Sequence, residues 1–121
     1  MTHFRGKVRK GQQRGKRLGF PTANIALHTR IPEGIYLSSV FLKGTRYSAL
    51  TFIGKAETFK NAIYQSETYL LNFSEDIYGE WMGVHLIKKI RDNEVFVSEE
   101  SLILQMEEDK RIAEEYFKSI C

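Results

Sequence analysis

The chain has 121 residues, of which 42% are hydrophobic and 27% are charged, and its net charge is +3. These values predict one globular domain spanning residues 1–121 with a single core. They exclude a membrane-spanning segment, because no apolar run approaches about 18 residues. A disulfide framework is excluded as well, because Cys121 is the only cysteine. The first residues lack the apolar core of a signal peptide, so we expect a cytoplasmic protein.

The charges are distributed unevenly along the chain. The first 30 residues contain many Lys and Arg but no Asp or Glu, whereas acidic residues concentrate in the last quarter. A basic N-terminal third suits an anionic ligand, either a nucleotide or a nucleic acid, although it could also be a solvated face. The histidines (His3, His28 and His85) are scattered without ligand spacing, so a transition-metal site is not expected. A hard cation held by oxygen atoms is still compatible with the composition.

Six short strands followed by one helix are predicted. Apolar alternation and β-branched or aromatic residues place the strands at residues 4–9, 22–27, 35–42, 47–53, 62–73 and 81–89. Residues 54–61 are predicted to be a polar loop. Ser98 is the predicted N-cap of a helix whose apolar stripe runs to Ile120. Closely spaced strands indicate a barrel or closed sandwich, and the missing βαβ order argues against a Rossmann or P-loop fold.

Residues 11–24 read G-Q-Q-R-G-K-R-L-G-F-P-T-A-N and resemble a phosphate-binding loop in composition. Glycines allow the backbone to approach a ligand closely, the cations supply positive charge, and the proline stiffens the chain that follows. The relevant positions are Gly11, Gly15, Lys16, Gly19 and Pro21. A Walker A motif is excluded by the spacing of the glycines and by the arginine that follows Lys16. A surface loop that binds no ligand is the alternative.

Thr22 and Asn24 lie two positions apart in a segment predicted to be extended. Their side chains should therefore point to one face. A hydroxyl and an amide oxygen placed side by side could ligate Mg²⁺, with phosphates and waters completing an octahedron. The alternative is a turn-capping threonine and an asparagine bonded to its own backbone.

Glu67 lies in the middle of the fifth predicted strand. Alternation places it on the same face as Tyr69 and Leu71, where it would be partly desolvated. Desolvation raises the pKa of a carboxyl group and so makes it a better general base. A surface carboxylate on the wet side of a sheet is the alternative interpretation.

Several segments together resemble the riboflavin kinases, the ATP-dependent flavokinase type of bacteria and eukaryotes. G-K-V-x-x-G-x-x-x-G-K-R-L-G-F-P-T-A-N, ending at Asn24, is similar to the N-terminal signature of that family. The resemblance continues through P-E-G-I-Y, F-I-G-K-A-E-T-F, E-T-Y-L-L-N-F-S-E-D-I-Y-G and I-R-D-N-E-V-F, in the order of the family. It covers about residues 4–117, nearly the whole chain.

The resemblance implies a mainly β fold, a six-stranded antiparallel Greek-key barrel with a C-terminal helix. It also implies transfer of the γ-phosphate of ATP, with Mg²⁺, to the ribityl 5′-hydroxyl of riboflavin, which gives FMN and ADP. The expected partners are therefore these small molecules, not nucleic acid or membrane, and the expected state is a monomer. The family also occurs as one half of bifunctional FAD synthetases, so the chain could be a stand-alone enzyme or a module.

Site residues are implied by the same resemblance. Thr22 and Asn24 would hold the metal and phosphates, Glu67 would be the catalytic base, and Gly11 to Gly19 would form a lid in which Lys16 contacts phosphate. Pro21 would begin the rigid floor under the nucleotide. The other implied positions are Tyr78 and Gly79 on the ATP side, and Arg91, Phe96, Ser98 and Leu102 on the flavin side.

The chain departs from the family pattern in three places. Glu57-Thr58-Phe59 stands where the family usually has Pro-Thr-Phe, Tyr69 where it often has His, and Asn72 where an Asp is common. None of these positions is a predicted metal ligand or base, but Glu57 adds charge to a loop near the expected active cleft, so the departure is expected to affect substrate affinity or turnover and not the type of reaction. Two other functions are compatible with the sequence: a flavin- or nucleotide-binding barrel with weakened catalysis, and a barrel that binds single-stranded nucleic acid. The second would use the aromatic residues Tyr36, Phe41, Tyr64 and Trp81.

Overall fold

A computed structural model describes residues 2–9, 22–57, 62–73 and 76–120 of the chain. Within these residues, six strands precede one helix. The elements are β1 (His3–Lys7), β2 (Ala23–Ala26), β3 (Gly34–Leu42), β4 (Thr45–Glu57), β5 (Ala62–Leu70), β6 (Trp81–Arg91) and α1 (Glu99–Ser119). The predicted order of six strands and a C-terminal helix is therefore confirmed.

The strands form one antiparallel sheet in the order β1-β6-β3-β4-β5-β2. The sheet curls into a nearly closed Greek-key barrel, as expected. Its two edge strands meet just beyond β1, where the Arg9 N–H donates a 2.8 Å hydrogen bond to the Asn24 carbonyl. Gly6 permits this approach, because a Cβ at that position would lie 2.4 Å from the Ile25 Cγ2 atom.

The inner face of the sheet forms the main core. Alternate residues of the strands point inward, and the buried apolar ones include Val8, Ile25, Val40, Ile53 and Val84. The interior also contains polar groups, but they are paired. The Thr51 hydroxyl lies 2.8 Å from the Ser38 hydroxyl and 3.0 Å from the Thr68 hydroxyl, so the three link β3, β4 and β5.

Helix α1 covers part of the outer face. Ser98 caps the helix as predicted, because its Oγ accepts a 3.1 Å hydrogen bond from the Ser101 N–H. Ala113 is fully buried in a second apolar cluster with Ile35, Leu37 and Leu50, which point outward from the barrel. The helix therefore stabilises the outer surface of β3 and β4 and leaves other outward residues to form a site.

Most predicted strand ends agree with the structure within two residues, but two differ by more. The predicted loop at 54–61 begins as strand, because β4 continues to Glu57 and pairs with β5 over that length. The sequence there lacks β-branched residues, so backbone pairing outweighs local propensity. The strand predicted for 62–73 ends at Leu70, because a turn follows in which Asn72 adopts a φ of 55°. Asparagine tolerates this left-handed conformation better than most residues.

Candidate active site

One transverse row of residues crosses five strands and organises the candidate site. Strand pairing places Asn24 opposite Glu67, Glu67 opposite Phe52, Phe52 opposite Ile35 and Ile35 opposite Arg91. Directly opposed residues share a face of the sheet. Ile35 belongs to the cluster under α1, so the row lies on the outer face of the barrel. The predicted metal ligand Asn24 and the predicted base Glu67 are therefore adjacent.

The pairing pattern makes Asn24 and Glu67 close neighbours. The Leu27 N–H donates to the Tyr64 carbonyl over 3.0 Å, which makes Leu27 and Tyr64 a hydrogen-bonded pair. Hydrogen-bonded and non-hydrogen-bonded pairs alternate along antiparallel strands, so Asn24 and Glu67 form a pair of the second type. Such side chains come closest together, with Cβ atoms about 4.5–5.5 Å apart.

Asn24 has a buried oxygen atom that needs a partner. The residue is 3% exposed, and among the described residues its Oδ1 atom has no hydrogen-bond partner. An unpaired buried polar atom is costly, and in native proteins it commonly marks a site for an ion or a ligand. Thr22, which is half-buried, directly precedes β2. Amide and hydroxyl oxygens suit a hard cation, so the residues present fit Mg²⁺.

Carboxylates and histidines do not assemble a metal cage elsewhere. Across residues 2–9, 22–57, 62–73 and 76–120, no group of three or more His, Cys, Asp or Glu could hold an ion. Mg²⁺ usually keeps several waters and takes few protein ligands, so a magnesium site at Asn24 does not require such a group.

Glu67 is shielded from solvent at the next position of the row. Burial raises the pKa of its carboxyl group above the ordinary glutamate value. This agrees with the desolvation expected from its position on the face shared with Tyr69. A carboxylate with a raised pKa accepts a proton more readily than an exposed glutamate does.

A cavity of about 600 Å³ opens beside Glu67. This volume is in the range of small-molecule sites. Three of the residues predicted for the flavin side line it, namely Arg91, Phe96 and Leu102, together with the predicted base. The remaining lining residues are Glu33, Ile35, Phe52, Ile53, Gly54, Lys55, Gln65, Asn93, Glu94 and Val95. The cavity therefore has apolar walls from the sheet and polar groups around them.

Arg91 and Ser98, both predicted for the flavin side, make contacts that stabilise the fold. The Arg91 guanidinium donates to both carboxylate oxygens of Asp109 at 2.8 Å and 2.6 Å, and to the Asp92 carbonyl at 3.1 Å. Its guanidinium thus joins α1 to the end of β6, although the residue also lines the cavity. Ser98 is an exposed helix cap and is not among the described residues that line the cavity.

Tyr78 and Gly79 lie in a turn held against the end of β1. The Gly79 N–H donates to the Val8 carbonyl at 2.9 Å, and the Val8 N–H donates to the Glu80 carbonyl at 2.8 Å. Gly79 has a φ of 89°, which favours glycine. The next residue, Arg9, donates its N–H to the Asn24 carbonyl. Backbone hydrogen bonds therefore connect this turn to Asn24 through Val8 and Arg9.

Some predictions cannot be compared with the structure. Gly11, Gly15, Lys16, Gly19 and Pro21 lie outside the described residues. The same is true of Thr58 and Phe59 in the segment that departs from the family.

Sequence reasoning missed several residues that line the cavity. Asn93 is the clearest case, because its Nδ2 donates a 3.1 Å hydrogen bond to the Ile53 carbonyl and so pins the segment after β6 onto β4. Gly54 leaves room for it, since a Cβ there would lie 3.1 Å from that nitrogen. No local pattern reveals such a contact across 40 residues. Gln65 could have been found, because it precedes Glu67 by two positions on one face.

The nucleic-acid interpretation is not favoured. The hydroxyl of Tyr36 donates to the Pro32 carbonyl at 2.6 Å, and that of Tyr64 donates to the Ile31 carbonyl. Both rings pack with the inner core, where they cannot stack on bases. Only Phe41 and Trp81 of the four aromatic residues are exposed.

Known proteins similar to this chain were identified by sequence and by structure. A family model described as "Flavokinase: Riboflavin kinase" matches residues 1–117. A bifunctional riboflavin kinase/FMN adenylyltransferase of Haemophilus influenzae is 36% identical over 94% of this chain and 38% of its own length. A trifunctional protein RibF/MnmA of Mycoplasmoides gallisepticum is also 36% identical, over 95% of this chain and 18% of its own. The chain thus spans less than two-fifths of these relatives.

Two solved structures share the fold of this chain. A riboflavin kinase from Trypanosoma brucei superposes with a TM-score of 0.64 at 25% identity, covering 96% of this chain and 79% of that one. A chain described as a macrolide-efflux protein from Streptococcus pneumoniae superposes with a TM-score of 0.83 at 33% identity, covering 93% and 38%. No helix within the described residues is long and apolar enough to cross a membrane. The matched length and the shared fold place this chain in the riboflavin kinase family.

Proposed function

We propose that this chain is a riboflavin kinase, which transfers the γ-phosphate of ATP to the ribityl 5′-hydroxyl of riboflavin and yields FMN and ADP. The observation that carries the proposal is the pairing of Asn24 with Glu67 beside a cavity of about 600 Å³. Asn24 offers an oxygen that is unpaired among the described residues, Glu67 offers a desolvated base, and both face the same side of the sheet.

Riboflavin would occupy the cavity. Its flat ring system needs apolar walls, which Phe52, Phe96 and Leu102 supply, and polar groups at its edge, which Asn93 and Gln65 supply. The ribityl chain would extend toward Glu67, because that carboxylate adjoins Asn24, where the nucleotide phosphates would lie. Arg91 contributes by holding α1 against this wall.

Glu67 would act as the general base. Its carboxylate would accept the proton of the 5′-hydroxyl as that oxygen attacks the γ-phosphorus, and ADP would depart on the opposite side. The proton would then reside on Glu67 until it is released to solvent. Burial supports this role, because it raises the pKa of the carboxyl group.

Thr22 and Asn24 would hold Mg²⁺. When bound, the ion would cancel charge on the phosphates of ATP. The buried Oδ1 of Asn24 supports the assignment because it has no hydrogen-bond partner among the described residues, and an unpaired buried oxygen is costly. Tyr78 and Gly79 would border the nucleotide, since their turn is bonded to the chain beside Asn24. Lys16 and the glycines from Gly11 to Gly19 would close over the phosphates, followed by Pro21 at the floor.

The proposal is tested by incubating the chain with riboflavin, ATP and Mg²⁺ and separating FMN by chromatography. We expect FMN to form only when all three are present and to be lost with a metal chelator. Riboflavin binding without FMN formation would instead support the barrel with weakened catalysis, to which Glu57 and Tyr69 are relevant. Failure to bind either riboflavin or ATP would overturn the proposal.

Residues 1–121 would form one kinase unit that acts as a monomer in the cytoplasm, where ATP is available. The relatives that carry an adenylyltransferase are longer, so the same unit would also work as a module of such a protein. Sedimentation of the chain at the concentration used for the kinase assay tests the oligomeric state. Detection of a dimer would contradict the proposed monomeric state. If that dimer dissociates without loss of turnover, the proposed reaction is unaffected.

A further inference from the structure

His3 and His85 are brought together by the fold, although 82 positions of sequence separate them. They lie directly opposite one another on β1 and β6, and their ring centroids are 5.0 Å apart with the planes at 59°. His3 is exposed and His85 is half-buried. The sequence alone indicated that the three histidines are scattered, but the fold places two of them side by side.

The strand pairing favours a close approach of the two rings. The Leu86 N–H donates a 2.9 Å hydrogen bond to the Thr2 carbonyl, and the Val8 N–H donates to the Glu80 carbonyl, so these positions are hydrogen-bonded pairs. His3 and His85 fall between them in the alternation and form a non-hydrogen-bonded pair. Side chains at such a pair have Cβ atoms about 4.5–5.5 Å apart.

We propose that His3 and His85 form a surface site for a divalent transition-metal ion such as Zn²⁺. Imidazole nitrogens are preferred ligands of Zn²⁺, Cu²⁺ and Ni²⁺, with metal–nitrogen distances of about 2.0–2.1 Å. Two nitrogens bound to one ion then lie within about 4 Å of each other, and ring centroids 5.0 Å apart are close enough for this. Because no third His, Cys, Asp or Glu joins the pair within the described residues, water completes the coordination.

This site differs from the proposed magnesium site in chemistry and in place. Asn24 offers an amide oxygen, which suits a hard cation, whereas two imidazoles select a softer one. His3 lies at the start of β1, and the Arg9–Asn24 bridge lies beyond its end. The histidine site therefore neither requires nor tests the proposed kinase activity.

A bound ion would fasten β1 to β6. β1 pairs with β6 alone along its length and meets β2 near the Arg9–Asn24 bridge. A ligand that binds only the folded chain stabilises it by mass action. At a zinc concentration about ten times the dissociation constant, the ratio of folded to unfolded chain rises about 11-fold.

Calorimetric titration with Zn²⁺ tests the site, without nucleotide and with Cys121→Ser in every sample to remove the thiol. We expect one ion per chain. His3→Asn and His85→Asn should each weaken binding by at least about tenfold, the loss known for weaker perturbations of metal sites. The matched control is His28→Asn, since His28 is an exposed histidine elsewhere, and it should leave the affinity unchanged. The rise in the thermal unfolding midpoint with zinc should follow the same pattern.

Three outcomes would overturn the proposal. Binding that survives both substitutions would place the ion elsewhere, and binding lost with His28→Asn would implicate another group. Binding lost with His3→Asn but not with His85→Asn would mean that His3 chelates with the N-terminal amine.

If His85→Asn fails to fold by circular dichroism, imidazole NMR of the unsubstituted pair decides. Zinc must then shift the ring signals of both His3 and His85, and a shift of only one contradicts the site.

Discussion

The row of residues from Asn24 to Arg91 differs at its two ends in how buried polar groups are paired within the described part of the chain. At one end, the fully buried Asp109 receives two hydrogen bonds from Arg91 and a third, at 3.0 Å, from Gln105. At the other end, Asn24 has a buried oxygen without a partner among the described residues, and burial raises the pKa of Glu67. The row therefore runs from a paired network at Arg91, which α1 completes, to polar groups that are unpaired among the described residues at Asn24, with Phe52 and Ile35 between them.

The difference between the two ends suggests that one contributes to stability and the other to function. A buried polar group that is fully paired gains nothing from a ligand, and its loss damages the fold. A buried polar group that is unpaired costs stability in the free protein and recovers that cost when a ligand arrives. We therefore expect substitutions at the Arg91 end to affect unfolding and substitutions at the Glu67 end to affect catalysis. Four experiments test this contrast.

The largest effect is expected from Glu67→Gln. The amide cannot accept the hydroxyl proton, so kcat should fall by about 10²–10⁴ while riboflavin affinity changes little. Steady-state rates of FMN formation and flavin titration measure the two quantities. Glu114→Gln, the same change at an exposed position of α1, serves as the control and should retain activity. A kcat within about threefold of the original would show that Glu67 is not the base.

Asp109→Asn should have the next largest effect, and on stability. It leaves the guanidinium of Arg91, whose side chain is 16% exposed, without its counter-charge. Breaking a buried ion pair from one side typically costs about 3–5 kcal/mol. Denaturant unfolding measures the loss, and Glu107→Gln on the exposed side of the same helix should be neutral. A cost below about 1 kcal/mol would place this pair among surface ion pairs.

Asn24→Leu should show the reverse pattern. Leucine is similar in size and removes the oxygen that has no partner among the described residues, so the free energy of unfolding should not fall. The affinity for ATP with Mg²⁺ should drop at least about tenfold, because a ligand of the ion is gone. Thr22→Ala should weaken the same binding. Calorimetry with and without Mg²⁺ measures both, and an unchanged affinity would sink the assignment.

The smallest effect is a shift in pH dependence. Burial raises the pKa of Glu67, so the acidic limb of kcat/KM should lie above the ordinary glutamate pKa of about 4.3. The same burial favours the protonated form in the fold. That contribution to stability is fully present below the unfolded pKa and is lost as pH rises through the folded pKa. Glu67→Gln should therefore become progressively more stable than the original as pH rises, and a constant difference would contradict this.

The sequence was sufficient to predict the secondary-structure elements, but not the contacts between residues of different elements. Alternation correctly placed Glu67 and Tyr69 on one face, and Ser98 was correctly identified as a cap, because both signals are local. The extension of β4 to Glu57 was missed because it depends on pairing with β5. The proximity of His3 to His85 depends on the pairing of β1 with β6. The ion pair of Arg91 with Asp109 depends on how α1 packs on the sheet, and the contact of Asn93 with Ile53 depends on where the segment after β6 meets β4. Each contact joins residues that are distant in sequence, so no local pattern reveals it.

The closure of the barrel has a consequence for its motions. The backbone of Asn24 accepts the Arg9 hydrogen bond, while its side chain faces the candidate site. Any opening of the seam between the edge strands therefore displaces the oxygen proposed to hold the cation. The Arg9 amide proton should exchange with solvent deuterium at a rate set by that opening. Nucleotide and Mg²⁺ should slow its exchange, so that one backbone proton reports whether the active site is assembled.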